Sequence, residues 1–292
     1  MELDKIISGD SAVVLQSFPP DCIDLTVTSP PYDNLRTYNG FTFDFETIAR
    51  ELFRVTKSGG VVVWVVGDAT VKGSETLTSF RQALHFHSIG FNVHDTMIYR
   101  KQGGNFTPKN KYYQVFEYMF IFSKGVPKTF NPIQVKRTGH VGYSVGTSKR
   151  GTKKKIEYNK EKTTRTADNV WVIAAHGKNA SSDEIAYQHP AIFPEALAQD
   201  HIISWSNEND TVLDCFCGSG TTPKMAKLLN RHYIGIDTSA EYVALANERL
   251  AQVERGLTPL APDLGWVCGK CKTHNADGVS LCGFCDTPRL NG

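Results

Sequence analysis

The stretch Thr211-Val-Leu-Asp-Cys-Phe-Cys-Gly-Ser-Gly-Thr-Thr222, followed after a helix-compatible segment by Tyr233-Ile-Gly-Ile-Asp237, decides the fold. A short apolar run enters Gly218-Ser219-Gly220 directly and a helix-forming segment leaves it. Glycine has no Cβ and tolerates positive φ, so a ligand can approach the backbone of such a turn at the helix N-terminus. A Gly-x-Gly by itself marks little more than a tight turn. Here, however, a second strand ends in Asp237, where nucleotide-binding α/β folds place the acidic residue that grips ribose hydroxyls. The three-glycine dinucleotide fingerprint is absent, and the pattern predicts a site for an adenosine-type cofactor.

Outward from this passage, apolar runs bounded by turn residues alternate with amphipathic stretches of helical length, the pattern of a largely parallel sheet with helices on both faces. Strands are expected at Lys5–Ser8, Ile23–Thr28, Val61–Val66, Asn92–Tyr99, Phe116–Phe122, Thr211–Asp214 and Tyr233–Asp237. Helices are expected at Phe45–Thr56, Ser74–Ser88, Pro194–Trp205, Thr221–Leu229 and Ala240–Gln252. Between these, residues 124–188 lose periodicity and are rich in Gly, Lys, Thr and Ser, which reads as a long functional insertion instead of a further βα unit. The Pro-containing stretch Arg255–Asp263 breaks the last helix and leads to a small C-terminal module.

The 292 residues suit one sizeable α/β domain with an appendage, and 40% hydrophobic with 21% charged residues is an ordinary globular mixture. The start, MELDKIISGD, carries no basic leader, and no apolar run approaches the ~20 residues that cross a bilayer, so a cytoplasmic protein without a membrane partner is expected. The net charge of +2 conceals an uneven distribution. Val135–Thr166 holds ten Lys or Arg against Glu157 and Glu161, a local +8 that leaves the rest of the chain at −6. Such a run is often a solvated surface; inside an otherwise acidic chain it points to a polyanion.

Near the N-terminus a strand ends in Thr28-Ser29-Pro30-Pro31-Tyr32. Consecutive prolines donate no ladder hydrogen bonds, so the chain leaves the sheet rigidly there, and a simple strand-terminating turn would account for them. The tetrad also fits a planar aminated ring. The Ser29 hydroxyl and Pro30 carbonyl can accept both hydrogens of an exocyclic amine, and Tyr32 offers a stacking face. Such an amine is a poor nucleophile, so acceptors that favour a pyramidal nitrogen and a fixed approach to a methyl donor are what the chemistry needs. The tetrad contains no cysteine for covalent attack on a ring carbon, which leaves direct transfer.

Together, TSPPY, FCGSGTT and HPAIFPEAL (His189–Leu197) resemble the DNA amino-methyltransferase family over roughly Met1 to Arg255. With the tetrad before the glycine turn, the order is similar to the beta class, a circular permutation of the Rossmann-like methyltransferase fold that uses S-adenosylmethionine. The resemblance implies that Asp214, Phe216, Gly218, Gly220 and Thr221 line the cofactor and that Asp237 takes the ribose. It implies that Phe193, Pro194 and Glu195 open a helix near the methionine end and that Asp10 approaches the adenine ring. A helix cap for the segment after it explains Asp10 equally well. The catalytic residues would be Ser29, Pro30, Pro31 and Tyr32, acting on a base flipped from double-stranded DNA.

The insertion would be the target-recognition region, with Lys136, Arg137, Lys149, Arg150, Lys153, Lys154 and Lys155 neutralising phosphates. Family members that begin the tetrad with Ser commonly act on the N4 of cytosine, and those with Asp on the N6 of adenine. Ser29 favours cytosine, with adenine the alternative.

At the C-terminus, Cys268-x-x-Cys271 and Cys282-x-x-Cys285 stand ten residues apart, a spacing that closes a four-thiolate zinc site over about residues 264–290. With Trp266 and Asn275, they resemble the Ran-binding-protein type of zinc finger. Lys272-Thr273 departs from the Thr-Phe of its ubiquitin-binding members, so a further nucleic-acid contact or a structural role is expected. Cys22, Cys215 and Cys217 read as ordinary thiols.

A methyltransferase of RNA or protein amides would carry Asn in place of Ser29, and a catalytically silent adaptor would not need the intact tetrad. A homodimer and an accompanying restriction nuclease are arrangements to test.

Overall fold

The run Val61-Val-Val-Trp-Val-Val66 is apolar at every position because both faces of its strand are covered. In a computed structural model, which describes residues 1–31, 43–102, 111–136, 144–147, 153–156, 164–174, 180–181, 183–256, 266–267 and 274–275, alternate residues of this run enter two different cores. Val61, Val63 and Val65 join Leu25, Val27, Met119 and Ile121. Val62, Trp64 and Val66 join Phe120, Phe122 and Phe86. A period of two with both sets buried is the signature of an interior strand between helical layers. Each such buried side chain contributes roughly 1.5–3 kcal/mol.

The strands of the sheet are β1 (Lys5–Ser8), β2 (Ile23–Thr28), β3 (Thr56–Val66), β4 (Asn92–Gln102), β5 (Phe116–Ser123), β6 (Val170–Ala174), β7 (Thr211–Asp214) and β8 (His232–Asp237). Their spatial order is β1-β8-β7-β2-β3-β5-β4-β6. All run parallel except β5, which is antiparallel to both of its neighbours. The helices are α1 (Ser11–Val14), α2 (Phe45–Val55), α3 (Thr78–Ser88), α4 (Glu195–Trp205), α5 (Thr221–Leu228) and α6 (Ala240–Ala251). Leu197, Ala198 and Ile202 of α4 and Met225 and Ala226 of α5 fill one face. Ile48, Ala49, Leu52 and Val55 of α2 and Phe86 of α3 fill the other.

The central pair, β7 and β2, lies far apart in the chain yet is hydrogen-bonded in parallel, Val212 beside Leu25 and Leu213 beside Thr26. From β7 the chain passes through α5 to β8 on one side, and from β2 through α2 to β3 on the other. The order therefore reverses between β7 and β2, and ligands of open parallel sheets bind in the crevice outside the strand ends at such a point. The observed order is the permuted one that the motifs implied.

Two differences from the expected elements have identifiable causes. Val170–Ala174, within the stretch read as insertion, is an edge strand parallel to β4. Five residues with an exposed Val170 carry too short an apolar signal to stand out from their polar surroundings. Helix α3 starts at Thr78, not at residue 74, because Ser74–Glu75 pairs with Thr70–Val71 as a hairpin and Leu77 is left-handed at φ 56°.

The chain divides into two compact units, Met1–Asn131 with Asn169–Leu260 and Pro132–Asp168 with Ala261–Gly292. The sheet belongs to the first. The described part of the second consists of short antiparallel ribbons, Gln134–Lys136 with Thr164–Thr166, Ser144–Thr147 with Lys153–Ile156, and Trp266–Val267 with His274–Asn275. Among the described residues no helix is long and apolar enough to cross a membrane.

Candidate active site

The glycine turn sits at the carboxyl end of β7. Gly218 (φ +48°) and Gly220 (φ +78°) both occupy the left-handed region that an L side chain rarely adopts, and each is also confined by a neighbour. A Cβ on Gly218 would come within 2.9 Å of His189 Nε2, and one on Gly220 within 2.8 Å of Ala246 Cβ in α6. The turn is thus pressed from one side by the HPAIFPEAL segment and from the other by α6. His189 is oriented by Ala191, whose backbone lies 2.9 and 3.1 Å from Nδ1, and its ring meets Tyr242 edge-on at 4.3 Å.

Asp237, at the end of β8, accepts from the Gly218 N–H (2.9 Å) through Oδ2 and from the Ser239 N–H (2.9 Å) through Oδ1. It joins the turn to the start of α6. Asp10 stands at the same edge, two residues beyond Ser8, which pairs with Asp237. Its carboxylate caps α1, accepting from the Ala12 N–H at 2.8 Å, so the capping role is present.

The two expected motifs meet at the switch point. The Thr28 hydroxyl, at the end of β2, donates to Asp214 Oδ1 at 2.6 Å, and the Phe216 N–H donates to the same oxygen at 3.1 Å. The Thr222 hydroxyl lies within reach of the Val27 carbonyl, at 3.2 Å, and of Asp214. Burial pushes the Asp214 carboxyl up to about 6, the nearby charge of Asp237 adding to it, while these hydrogen bonds hold it down only in part. Cys215 and Cys217 are buried free thiols whose pKa burial raises, which keeps them neutral beside the site.

Of the tetrad, Ser29 and Pro31 are partly exposed and Pro30 is buried. Tyr32 lies outside the described residues. Phe216 is partly buried against Phe43 (5.3 Å between ring centroids) and Trp64 (6.1 Å). Phe193 packs on the first core, and Pro194 is the N-cap of α4. The Glu195 oxygen Oε1 accepts from Ser181 Oγ (2.8 Å), Lys224 Nζ (2.7 Å) and Arg249 Nη2 (3.0 Å), so this carboxylate is bound into an ion cluster. Thr221 Oγ1 accepts from the same arginine at 3.2 Å.

In the second unit Lys136 is exposed, and Lys153, Lys154 and Lys155 form one strand of a ribbon paired with Val145–Thr147. Arg137, Lys149, Arg150 and the four cysteines Cys268, Cys271, Cys282 and Cys285 lie outside the described residues. Among the described residues no cluster of three or more metal-ligating side chains occurs.

Sequence reasoning missed Thr28, Arg249, Lys224 and Asp183. Thr28 had a signal, as the last residue of the strand before the tetrad. The ionic residues had none, because their partners lie 28 to 68 positions away.

Comparison with known proteins bears on the same region. The pattern of the DNA methylase family, the N6/N4 methyltransferases, matches residues 23–248. The orphan methyltransferase M.BamHII of Bacillus amyloliquefaciens is 56% identical over 237 residues, which cover 79% of this chain and 89% of that one. A candidate DNA modification methylase of Thermus thermophilus, TTHA0409, solved in complex with S-adenosyl-L-methionine, is similar at a TM-score of 0.59 and 26% identity over 87% of this chain and 99% of its own. The cytosine-N4-specific PvuII DNA methyltransferase, at 21% identity, shares the fold with a TM-score of 0.62 over 87% of each chain.

Proposed function

The chain belongs to the N6/N4 DNA methylase family, and from that premise we propose that it methylates the exocyclic amino group of a base flipped out of double-stranded DNA, with S-adenosylmethionine as methyl donor and the N4 of cytosine as target. The observation that carries the reading is the 2.6 Å hydrogen bond from Thr28 to Asp214, which joins the residue before Ser29 to the strand that leads into the glycine turn.

The residues at the strand ends suit such a donor. A turn of two positive-φ glycines at the N-terminus of α5 lets a ligand approach its backbone, Asp237 ends the next strand, the position from which nucleotide-binding folds grip ribose hydroxyls, and the buried Asp214 carboxylate would favour a cationic group. When bound, the donor supplies an electrophilic sulfonium methyl. Asp214, Phe216, Gly218, Gly220, Thr221 and Asp237 would hold it, with Phe193, Pro194 and Asp10 at the margins. Ser29 Oγ and the Pro30 carbonyl accept the two amine hydrogens, which turns the nitrogen lone pair outward. Tyr32 stacks on the flipped base. Neither buried thiol takes part. Lys136, Arg137, Lys149, Arg150 and Lys153 to Lys155 contact phosphates, which position the duplex without reading it.

Ser29 at the head of the tetrad supports cytosine over adenine. Incubation with labelled donor and genomic DNA, followed by mass spectrometry of the nucleosides, is expected to yield N4-methylcytosine. N6-methyladenine would move the target to adenine, and the absence of both would overturn the reading.

The C-terminal cysteines are proposed to hold one structural zinc, since four soft thiolates in two Cys-x-x-Cys pairs suit a closed tetrahedral site. The paired strands Trp266–Val267 and His274–Asn275 bracket the first pair in the sequence. Metal analysis should find one zinc per chain, lost in Cys268→Ala; a zinc-free protein would remove this element of the proposal.

A further inference from the structure

Behind the glycine turn lies a group of four charged side chains that the proposed chemistry does not use. Arg249 of α6 has a side chain of 0% exposure, and Lys224 of α5 one of 5%. Asp183 Oδ2 accepts from Arg249 Nε (2.9 Å) and Lys224 Nζ (2.7 Å), and Glu195 Oε1 accepts from Arg249 Nη2 (3.0 Å) and Lys224 Nζ (2.7 Å). Two cations face two carboxylates, so the cluster is balanced within itself. Although burial pushes the Asp183 carboxyl up, the hydrogen bonds from Lys224 and Arg249 outweigh it and hold it below its ordinary value.

The third edge of the guanidinium faces the turn. Arg249 Nη1 donates to the Ser219 carbonyl at 2.7 Å and lies 3.2 Å from both Ser219 Oγ and Thr221 Oγ1. Ser219 is the residue between the two positive-φ glycines. The conformation of Gly218-Ser219-Gly220 is thus held at Gly218 N by Asp237 and at the Ser219 carbonyl by Arg249. Nη2 adds a bond to Ser181 Oγ at 3.3 Å, which ties in the segment leading to His189 and α4.

Burying four charges is expensive, and apolar residues of similar volume often stabilise as well. What apolar residues cannot do is fix the direction of a carbonyl. A planar fork with five N–H donors bonds three segments at once in one geometry, which a lysine cannot reproduce.

We infer that Arg249 is a positioning residue for the methyl donor: held by Asp183 and Glu195, it fixes the Ser219 carbonyl and so keeps the glycine turn in its binding shape without touching the donor. The inference rests on the reading of that turn as the donor site. It also reassigns Glu195, whose Oε1 supports the turn through Arg249.

Calorimetric titration of the full chain with S-adenosylhomocysteine, the demethylated product, tests it without turnover. Arg249→Lys keeps the charge and loses the fork, and should weaken binding by about tenfold or more. The KM for the donor should rise in proportion, while kcat at saturating donor and the affinity for DNA stay within about twofold. Asp24→Asn, which disturbs a buried ionic group at the opposite end of the sheet, is the control: it should lower the melting temperature and leave S-adenosylhomocysteine affinity unchanged. An Arg249→Lys protein that melts like the control variant yet binds with wild-type affinity, or loses kcat alone, overturns the inference. Should Arg249→Lys not fold, Ser181→Ala removes one bond each to Arg249, Glu195 and the Asp183 N–H, and a smaller loss of affinity is expected; no loss has the same overturning force. Wild-type protein that fails to bind S-adenosylhomocysteine would instead overturn the donor site itself.

Discussion

Two aspartates lie buried at opposite ends of the central strand pair, each about 5% exposed or less, and their surroundings treat them differently. Asp24, at the start of β2, accepts from Lys57 Nζ (2.6 Å), Lys128 Nζ (3.1 Å) and the Thr211 N–H (3.0 Å). Burial pushes its carboxyl up, but these bonds, two of them from cations, bring it below its ordinary value. Asp214, at the end of β7, is bonded by the neutral Thr28, Phe216 N–H and Thr222, and burial leaves it raised, at about 6. Both carboxylates pay a desolvation cost; only Asp24 has its countercharge built in. Asp24 is balanced by cations within the fold, whereas the hydrogen bonds that hold Asp214 come from neutral groups, and in the proposed site a cationic ligand would complete its charge.

The sharpest way to break this contrast is to neutralise each in turn. Asp214→Asn should weaken S-adenosylhomocysteine binding, through the α-ammonium that this product keeps although it has lost the sulfonium charge, by on the order of a hundredfold and leave the melting temperature equal to or above wild type, because a costly buried charge is gone. Asp24→Asn should do the reverse, costing about 2 kcal/mol of stability by denaturant unfolding with donor affinity intact. The cost stays at the lower end because Lys57 and Lys128, 35% and 49% exposed, can turn to water. Matching phenotypes in the two variants would erase the distinction.

The pH dependences should also run in opposite directions. Asp214 has a folded pKa above its unfolded 3.8, so between about pH 4 and 6 the folded state holds the extra proton. Its contribution to stability therefore declines as pH rises through that window. Donor affinity, which needs the ionised form, should fall by about tenfold per pH unit below 6 and level off above it. Asp24 has a lowered pKa, so its contribution is present above the unfolded value and is lost as pH falls through the folded one. Titrations of wild type and Asp214→Asn between pH 5 and 8 check this, a flat profile being expected for the variant.

A smaller effect should sharpen the link between the two motifs. Thr28→Val removes one neutral donor from Asp214 without changing side-chain shape, and should weaken S-adenosylhomocysteine binding by about fivefold to tenfold. Since that bond lowers the Asp214 pKa, its loss should also move the pH midpoint upward. An unchanged midpoint would mean that the 2.6 Å contact does not set the ionisation of Asp214.

The sequence alone determined the largely parallel character of the sheet, the positions of its main helices and strands to within a few residues, the glycine turn and the permuted order of the motifs. These are local signals. VVVWVV is apolar throughout because both faces of its strand are buried, and Gly218 and Gly220 are there because the backbone needs positive φ without a Cβ. Asp10 shows how far such signals reach: it caps α1 beside the strand end that carries Asp237, and its place in the sequence could not separate that cap from the cofactor contact proposed for it. Only the tertiary structure decided what lies across the sheet and behind the turn. Thr28 meets Asp214 across 186 positions, Arg249 meets Asp183 across 66, and the short run Val170–Ala174 becomes a strand only because the edge of β4 is there to receive it. Periodicity and turn chemistry are written along a few consecutive residues, whereas the pairing of a buried charge depends on which distant segments the packed core brings within about 3 Å of it.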